Sequence, residues 1–321
     1  MKDFDLIFIV SQPRSGSTML QALISNNDKV ATLSEPWFLL PFLSYNNPII
    51  SNSIYNSKTS SVAINDFIEK IGVNSFKDDL SNFLLKQYSK ARKNGETYVL
   101  DKTPRYYEIL DELIEFFPGA KIIILKRNPF AVLYSIIKTF EKENIQKLVD
   151  FQRDLLYSPK KLHNFSKRQK NNINVRTVRY EDIVLNPDKE IKKLYKWLNL
   201  NFSQGDLNYK NNQKFKGIFG DPTGVNFKNT PDKEALNKWE AYTNNKYWDS
   251  FFKGYSNFLG SDFLEDYGYQ SIPLAGKTNT FNKFIFLTKL GIPYHKIKKL
   301  PLIKYYIASK TSSFIRYFKV L

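Results

Sequence analysis

The apolar residues of this 321-residue chain fall into short β-like runs separated by stretches with helical spacing. The runs predict strands at 6–11, 30–33, 97–100, 121–126 and 174–179. Helical spacing predicts helices at 17–26, 63–94 in two pieces, 105–117, 129–141, 146–170 and 187–198. This alternation indicates an α/β fold with a central, mostly parallel sheet and helices on both faces. Ligands of such folds bind beyond the carboxyl ends of the strands, so the residues after each run are candidates for chemistry.

The segment after the first predicted strand has the composition of a phosphate-binding loop. Residues 6–10 are continuously apolar, whereas residues 12–18 are mostly polar and contain Gly16. A loop that leads into a helix presents backbone N–H groups, which favour an anion. It is not a Walker A motif, because Ser17 stands where that motif requires a lysine. The alternative interpretation is a helix start capped by Ser15 or Ser17, without a ligand.

The loop sequence Arg-Ser-Gly-Ser-Thr closely resembles the 5′-phosphosulfate-binding loop of the sulfotransferases. Those enzymes use 3′-phosphoadenosine 5′-phosphosulfate (PAPS) as donor and release PAP. The resemblance implies a P-loop NTPase-like sulfotransferase fold over residues 1–270. It also implies that the donor is bound by the loop residues Arg14, Ser15, Gly16, Ser17 and Thr18.

Two further strand ends carry cations at positions that match the same family. Arg127 follows the strand predicted at 121–126, and Ser135 lies eight residues further on. This pattern resembles the family's 3′-phosphate site, which implies that both residues hold the 3′-phosphate. Lys102, in a Lys-Thr-Pro segment, resembles the lysine that the family brings to the transferring group. A strand-end arginine is, taken alone, also compatible with a structural salt bridge.

Two more segments resemble family motifs. Lys216 and Gly217 fit the nucleotide-covering loop R-K-G-x-x-G-D, although Phe215 stands where that loop has an arginine. The resemblance implies that Lys216 and Gly217 contact the nucleotide. Residues 179–183 are similar to the family's R-Y-E-D-L segment, which implies an architectural role.

Glu35 is the candidate general base. A glutamate base lies in this region in branches of the family similar to the tyrosylprotein and bacterial glycolipid sulfotransferases. Pro36 restrains Glu35 to an extended conformation. The alternative is that Glu35 caps the following helix. The chain's two histidines, His163 and His295, are predicted to lie away from the phosphate loops.

Positive charge at the transferring group is predicted to come from Arg14 and Lys102, which would supply what Mg²⁺ supplies in a kinase. The sequence therefore predicts no metal. The chain contains no cysteine, which excludes disulfides and thiolate chemistry.

The net charge of +17 is concentrated at the carboxyl end, where residues 277–321 contain nine lysines, one arginine and no acidic residue. We expect residues 271–321 to form a basic, aromatic-rich helical extension that meets an anionic membrane. The alternative is that it packs on the domain or on a second subunit. The residues expected to insert shallowly are Phe281, Phe284, Phe286, Leu287, Tyr305, Tyr306, Phe314 and Phe318. No nucleic-acid recognition module is present, so no nucleic acid is expected, and the sequence does not indicate the oligomeric state.

These features predict a PAPS-dependent sulfotransferase that acts on a hydroxyl, and a glycan or glycolipid is the expected acceptor. Tyrosine and lipid hydroxyls remain open as acceptors. The alternatives are a P-loop kinase and a non-catalytic protein that binds polyanions or membranes. The sequence shows no signal peptide and no apolar span of about 20 residues, so a cytoplasmic enzyme, peripheral on the inner face of a membrane, is expected.

Overall fold

A computed structural model describes residues 4–50, 55–93, 95–140, 145–208, 230–231, 233–243, 246–272, 286–288 and 290–292. The chain divides into two compact units. The first comprises Met1–Arg127 and Ser158–Lys233, and the second comprises Asn128–Tyr157 and Glu234–Leu321. The predicted boundary between residues 1–270 and 271–321 stays a prediction.

The first unit is built on a parallel five-stranded sheet in the order β2-β3-β1-β4-β5. Its strands are β1 (Asp5–Ser11), β2 (Val30–Leu33), β3 (Tyr98–Lys102), β4 (Lys121–Lys126) and β5 (Val175–Arg179). The apolar residues of β1 and β4 are almost completely buried, because helices cover both faces of the sheet. The predicted α/β fold class is confirmed.

Eight α-helices of the described residues belong to the first unit. They are α1 (Ser17–Ser25), α2 (Leu39–Leu43), α3 (Ser57–Ile71), α4 (Val73–Ser89), α5 (Leu110–Phe116), α8 (Ser158–Arg168), α9 (Tyr180–Leu185) and α10 (Pro187–Trp197). Two 3₁₀ helices, Pro104–Glu108 and Gln204–Leu207, accompany them.

Two predicted helices are divided in the structure. The segment predicted at 105–117 begins as the 3₁₀ helix Pro104–Glu108 before α5 starts at Leu110. The segment predicted at 146–170 consists of a 3₁₀ helix and two α-helices, with a break before Ser158. Proline has no N–H to continue a preceding helix and suits the first turn of a new one, which explains the restart at Ser158-Pro159.

All secondary-structure elements assigned to the described residues of the second unit are helices. Its elements are α6 (Pro129–Phe140), α7 (Gln152–Leu156), α11 (Glu240–Thr243), α12 (Lys246–Leu259), α13 (Ser261–Tyr267) and the 3₁₀ helix Ile145–Phe151. No helix within the described ranges has the length and apolar character needed to cross a bilayer.

An aromatic core holds the second unit together, and part of the basic extension belongs to it. Phe286 and Leu287 are buried there, and the ring of Phe286 lies 5.0 Å from the ring of Tyr255 in α12. The expectation that Phe286 and Leu287 insert into a membrane is therefore wrong, since their apolar surface is already covered by protein. Among the other residues expected to insert, Phe281, Phe284, Tyr305, Tyr306, Phe314 and Phe318 lie outside the described residues.

Candidate active site

The candidate site lies at the carboxyl edge of the sheet in the first unit. All five strands run parallel, so the segments that leave their carboxyl ends meet at one edge. These segments bring the loop after β1, Glu35, Lys102, Arg127 and Tyr180 to that edge.

The loop between β1 and α1 has the backbone geometry of an anion cradle. Arg14 and Gly16 have φ angles of 70° and 90°, a region that few residues other than glycine adopt. Gly16 is the cap residue of α1, and neither Ser15 nor Ser17 caps the helix with its side chain. Ser15 is fully buried, and its hydroxyl has no hydrogen-bond partner among the residues that the structure describes. A buried, unsatisfied hydroxyl beside a helix N-terminus fits a bound phosphate group.

The ring of Tyr180 packs directly against this loop at Gly16. A Cβ atom built on Gly16 would lie 2.5 Å from Cδ2 of Tyr180, so only glycine allows this approach. The guanidinium of Arg127 lies 4.1 Å from the centroid of the same ring, and its Nη1 donates to the Arg14 carbonyl over 3.0 Å. Tyr180 thus supports both the loop and Arg127. The sequence predicted only an architectural role for the segment that contains Tyr180. The position of this tyrosine directly after a strand was the one feature that could have indicated its place at the site.

Three separate segments meet at Lys102, the last residue of β3. Its Nζ donates to Oε1 of Glu35 over 2.5 Å and to Oγ1 of Thr18 in α1 over 3.2 Å. The Lys102 side chain is 1% exposed and that of Glu35 is 19% exposed. The structure therefore joins the predicted lysine, the predicted base and the phosphate loop's last residue in one contact cluster. Glu35 does not cap α2, whose cap residue is Phe38.

Gln21 fixes the strand that leads to Glu35. It is buried in α1, and its amide donates to the Thr32 hydroxyl and the Leu33 carbonyl, each over 2.8 Å. These bonds tie the end of β2 to the helix that follows the phosphate loop. Gln21 was not predicted, because a single glutamine in a helix carries no local sign of such a role.

Asp101 lies next to Lys102 in β3 and is completely buried among hydroxyl groups. Its carboxylate accepts hydrogen bonds from Tyr88 over 2.6 Å, Tyr106 over 2.9 Å and Thr103 over 2.7 Å. Burial raises the pKa of Asp101 to about 6, although the three hydroxyl donors and Lys102 act in the opposite direction. This network was not predicted, because its members are scattered along the chain.

His163 occupies a position that the sequence did not indicate. It is buried in α8, with its Nδ1 3.1 Å from Nζ of Lys126 at the carboxyl end of β4. This end of β4 leads into Arg127. His295 lies outside the described residues.

The roles of three residues predicted for the donor site stay predictions. Ser135 belongs to α6 of the second unit, so its pairing with Arg127 stays a prediction. Lys216 and Gly217 lie outside the described residues. Among the described residues, no group of three or more histidine, aspartate or glutamate side chains is arranged to hold a metal ion.

Two curated proteins illustrate the similarity to known sequences. The nodulation protein NoeE of Sinorhizobium fredii is 30% identical over 135 residues, which is 42% of this chain and 32% of that protein. The protein-tyrosine sulfotransferase 1 of Danio rerio is 23% identical over 251 residues, which is 74% of this chain and 66% of that protein. The chain thus spans less than two thirds of the length of each.

Comparison with solved structures supports the fold. The sulfotransferase domain from the curacin biosynthetic pathway superposes with a TM-score of 0.53 at 19% identity, over 91% of this chain and 99% of that domain. The sulfotransferase domain of the Synechococcus PCC 7002 olefin synthase gives a TM-score of 0.50 at 19% identity, over 90% and 95% of the two chains.

A profile of the sulfotransferase family matches residues 6–204, which include the phosphate loop, Glu35, Lys102 and Arg127. This match covers more than half of the chain, and the resemblance found in the sequence motifs is confirmed. The chain belongs to the sulfotransferase family.

Proposed function

We propose that this sulfotransferase moves a sulfuryl group from PAPS to a hydroxyl of a glycan or glycolipid, with Glu35 as the general base. The observation that carries the proposal is the cluster of Glu35, Lys102 and Thr18 beside an anion-binding loop. In this cluster the Lys102 ammonium donates both to the Glu35 carboxylate and to the Thr18 hydroxyl at the start of α1. Membership of the sulfotransferase family argues against the kinase and the non-catalytic alternatives.

The proposed reaction is an in-line transfer at sulfur. The acceptor oxygen forms a new bond to sulfur while the bond between sulfur and the donor's phosphate oxygen breaks. The hydroxyl proton passes to the Glu35 carboxylate, and PAP leaves with the electron pair of the broken bond. Lys102 and Arg14 stabilise the negative charge on the sulfuryl oxygens and the leaving phosphate. No step of this reaction requires a metal.

We assign the donor site to the loop after β1 and to four residues outside that loop. The backbone of residues 14–18 would hold the 5′-phosphosulfate, and the buried hydroxyl of Ser15 has the donor and acceptor capacity to bind it. Arg127 and Ser135 would hold the 3′-phosphate, which distinguishes PAP from ADP. Lys216 and Gly217 are proposed to contact the nucleotide.

Two classes of acceptor are candidates, saccharides and tyrosine-containing peptides. Glu35 is 19% exposed beside a buried lysine, which suits any hydroxyl that reaches the carboxylate. A relative is a protein-tyrosine sulfotransferase, which makes a tyrosine-containing peptide the second candidate acceptor. The Glu35 region resembles both the tyrosylprotein and the bacterial glycolipid branches of the family, and the glycan proposal follows the glycolipid branch.

The test is a transfer screen with ³⁵S-labelled PAPS against a panel of glycans and glycolipids and a set of tyrosine-containing peptides. The proposal predicts label in one or more saccharides and none in the peptides. Label in peptides alone would make tyrosine the acceptor. Absence of label from every saccharide and every peptide, by a protein that still binds PAP, would contradict both acceptor classes and leave the donor assignment standing.

We also propose that the basic extension places the enzyme at an anionic membrane on the cytoplasmic side. Residues 293–321 contain six lysines and one arginine, and each could contribute about 1 kcal/mol near an anionic surface. A chain that ends at Ile292 keeps the described core residues Phe286 and Leu287. The full chain should co-sediment with anionic vesicles in a salt-sensitive way, and the shortened chain should not. Equal sedimentation of both proteins would remove the membrane role.

A further inference from the structure

The segments that carry Glu35 and Lys102 are joined by three successive contacts. The first is the 2.5 Å ion pair between Lys102 and Glu35. Next, the guanidinium of Arg105 lies 4.9 Å from the ring centroid of Trp37. Finally, the backbone N–H of Leu39 donates to the Tyr106 hydroxyl over 3.1 Å. The contacts therefore form a ladder along residues 35–39 and 102–106.

The outer two contacts of this ladder have clear roles. The first holds the proposed base against the proposed catalytic lysine. The last is buried, because Tyr106 is completely covered and its hydroxyl is bound to Asp101. The middle contact differs, since Trp37 and Arg105 are both only partly buried. It therefore leaves part of an indole and part of a guanidinium exposed, two residues after Glu35 and three residues after Lys102 in the chain.

The backbone at the middle contact is strained. Trp37 has a φ angle of 52°, which is uncommon for a residue other than glycine and unfavourable for a bulky one. Strain of this kind is found where a function requires a particular side-chain position. Here it brings the indole under the Arg105 guanidinium, two residues after Glu35.

The charge of Arg105 is not needed for the donor in the proposed reaction. Arg14 and Lys102 are assigned to the phosphosulfate, and Arg127 is assigned to the 3′-phosphate. Arg105 adds a cation one ladder step beyond the Lys102–Glu35 pair. A guanidinium that stacks on an aromatic ring uses its face, whereas the N–H donors that bind a carboxylate lie along its edge. Such a group selects a planar anion by paired hydrogen bonds.

We propose that Trp37 and Arg105 form the acceptor subsite and select a saccharide that carries a carboxylate, such as a uronic acid. The indole contacts the apolar face of the sugar ring, and Arg105 binds the carboxylate. This assignment rests on the proposed function and names the substrate class of that site. Trp37 and Arg105 are then specificity residues that act on the acceptor and not on PAPS.

The test compares two acceptors that differ only in one sugar, a glucoside and the corresponding glucuronide. The wild-type enzyme should show a higher kcat/KM for the glucuronide. Arg105→Gln should lower kcat/KM for the glucuronide roughly tenfold to a hundredfold and change that for the glucoside little. Arg105→Lys, which keeps the charge and loses the planar fork, should retain part of the preference. The KM for PAPS should stay unchanged in both variants.

Arg92→Gln is the matched control, because Arg92 also stacks on an aromatic ring in the same unit. Its guanidinium lies 4.6 Å from the ring centroid of Phe4, a residue that precedes β1 at the opposite end of that strand from the site. This control should leave the preference intact, and PAP binding reports whether each variant is folded. An equal loss for both acceptors, or an unchanged preference in Arg105→Gln and Arg105→Lys, overturns the acceptor subsite alone. If the wild type transfers sulfate to peptides but to no saccharide, the glycan acceptor of the proposed function fails as well.

Discussion

Two sides of the same sheet edge are built in different ways. The loop side consists of residues 14–16, Arg127 and Tyr180, and the lysine side consists of Glu35, Asp101 and Lys102. Backbone conformation and ring stacking shape the loop side, through positive φ angles and the close approach of Gly16 to Tyr180. Ionisable side chains from distant segments shape the lysine side. The first arrangement suits an anion that must be held, and the second suits a proton that must move.

Substitutions on the two sides should therefore have different effects. Changes on the lysine side should alter turnover or pH dependence while PAP still binds. Changes on the loop side should weaken PAP binding. A lysine-side substitution that weakens PAP binding, or a loop-side substitution that leaves PAP binding unchanged, would show that the two sides do not act separately.

The largest effect is expected for Glu35→Gln, which keeps the shape and removes proton acceptance. Turnover should fall by ~10²–10⁴, while PAP binding stays nearly intact. Initial rates with labelled PAPS and calorimetry with PAP measure the two effects. Some stability should also be lost, because Lys102 is buried and loses its anionic partner.

Glu108→Gln is the matched control for loss of an ion pair. Glu108 also contacts a lysine over 2.5 Å, namely Lys161, and its side chain is 7% exposed. Turnover should therefore remain close to wild type in this variant. If Glu35→Gln keeps more than about a tenth of the turnover, another base is at work, and His163 is the next to test.

The next effect concerns Asp101 and the free energy of unfolding. The folded-state pKa of about 6 lies above the ordinary value of 3.8, so ionisation of Asp101 opposes folding. Its stabilising contribution is therefore complete at low pH and is lost as the pH rises from about 4 to 6. Asp101→Asn cannot ionise. Between pH 4 and pH 7, wild type should lose roughly 2–3 kcal/mol relative to this variant.

Urea denaturation of both proteins at the two pH values measures this difference. The same difference between them at pH 4 and pH 7 would show that Asp101 does not titrate in this range. PAP binding by folded Asp101→Asn should remain, because Asp101 belongs to the lysine side.

Arg127→Ala tests the loop side. A charge-assisted hydrogen bond contributes about 1.5–3 kcal/mol, so PAP binding should weaken roughly tenfold to a hundredfold or more. Affinity for ADP, which lacks the 3′-phosphate, should change little. Calorimetry with both nucleotides measures the effect, and Arg92→Ala controls for loss of a stacked arginine. Equal losses for PAP and ADP would remove Arg127 from the proposed role.

The smallest effect is expected for Gly16→Ala, with Gly95→Ala as its control. The two glycines have φ angles of 90° and 89°, but only Gly16 has a neighbour that an added Cβ would strike. Both variants should lose about 1–2 kcal/mol of stability from the left-handed backbone. Only Gly16→Ala should displace Tyr180 and weaken PAP binding, by about tenfold. Unchanged PAP affinity in Gly16→Ala would show that the contact with Tyr180 does not position the loop.

Local sequence was sufficient to predict the strands and the loop between β1 and α1. Continuous apolar runs mark strands that are buried on both faces, and the loop with Gly16 directly follows the first of them. Its geometry depends on neighbours in the chain, so a short motif encodes it. The contact of Tyr180 with Gly16 was the exception, because it joins segments that are far apart in sequence.

The lysine side was decided by the tertiary structure. Glu35 and Lys102 were predicted separately, and the parallel pairing of β3 with β1 and β2 brings them to one edge. The hydroxyl network of Asp101 and the burial of Phe286 left no local signal, since neither depends on a periodic pattern. The sequence by itself determined which segments form strands and helices, because those preferences are set within a few residues. Packing determined which distant side chains share a buried site. Burial is a property of the whole fold, and it sets both the partners and the pKa of a side chain such as Asp101.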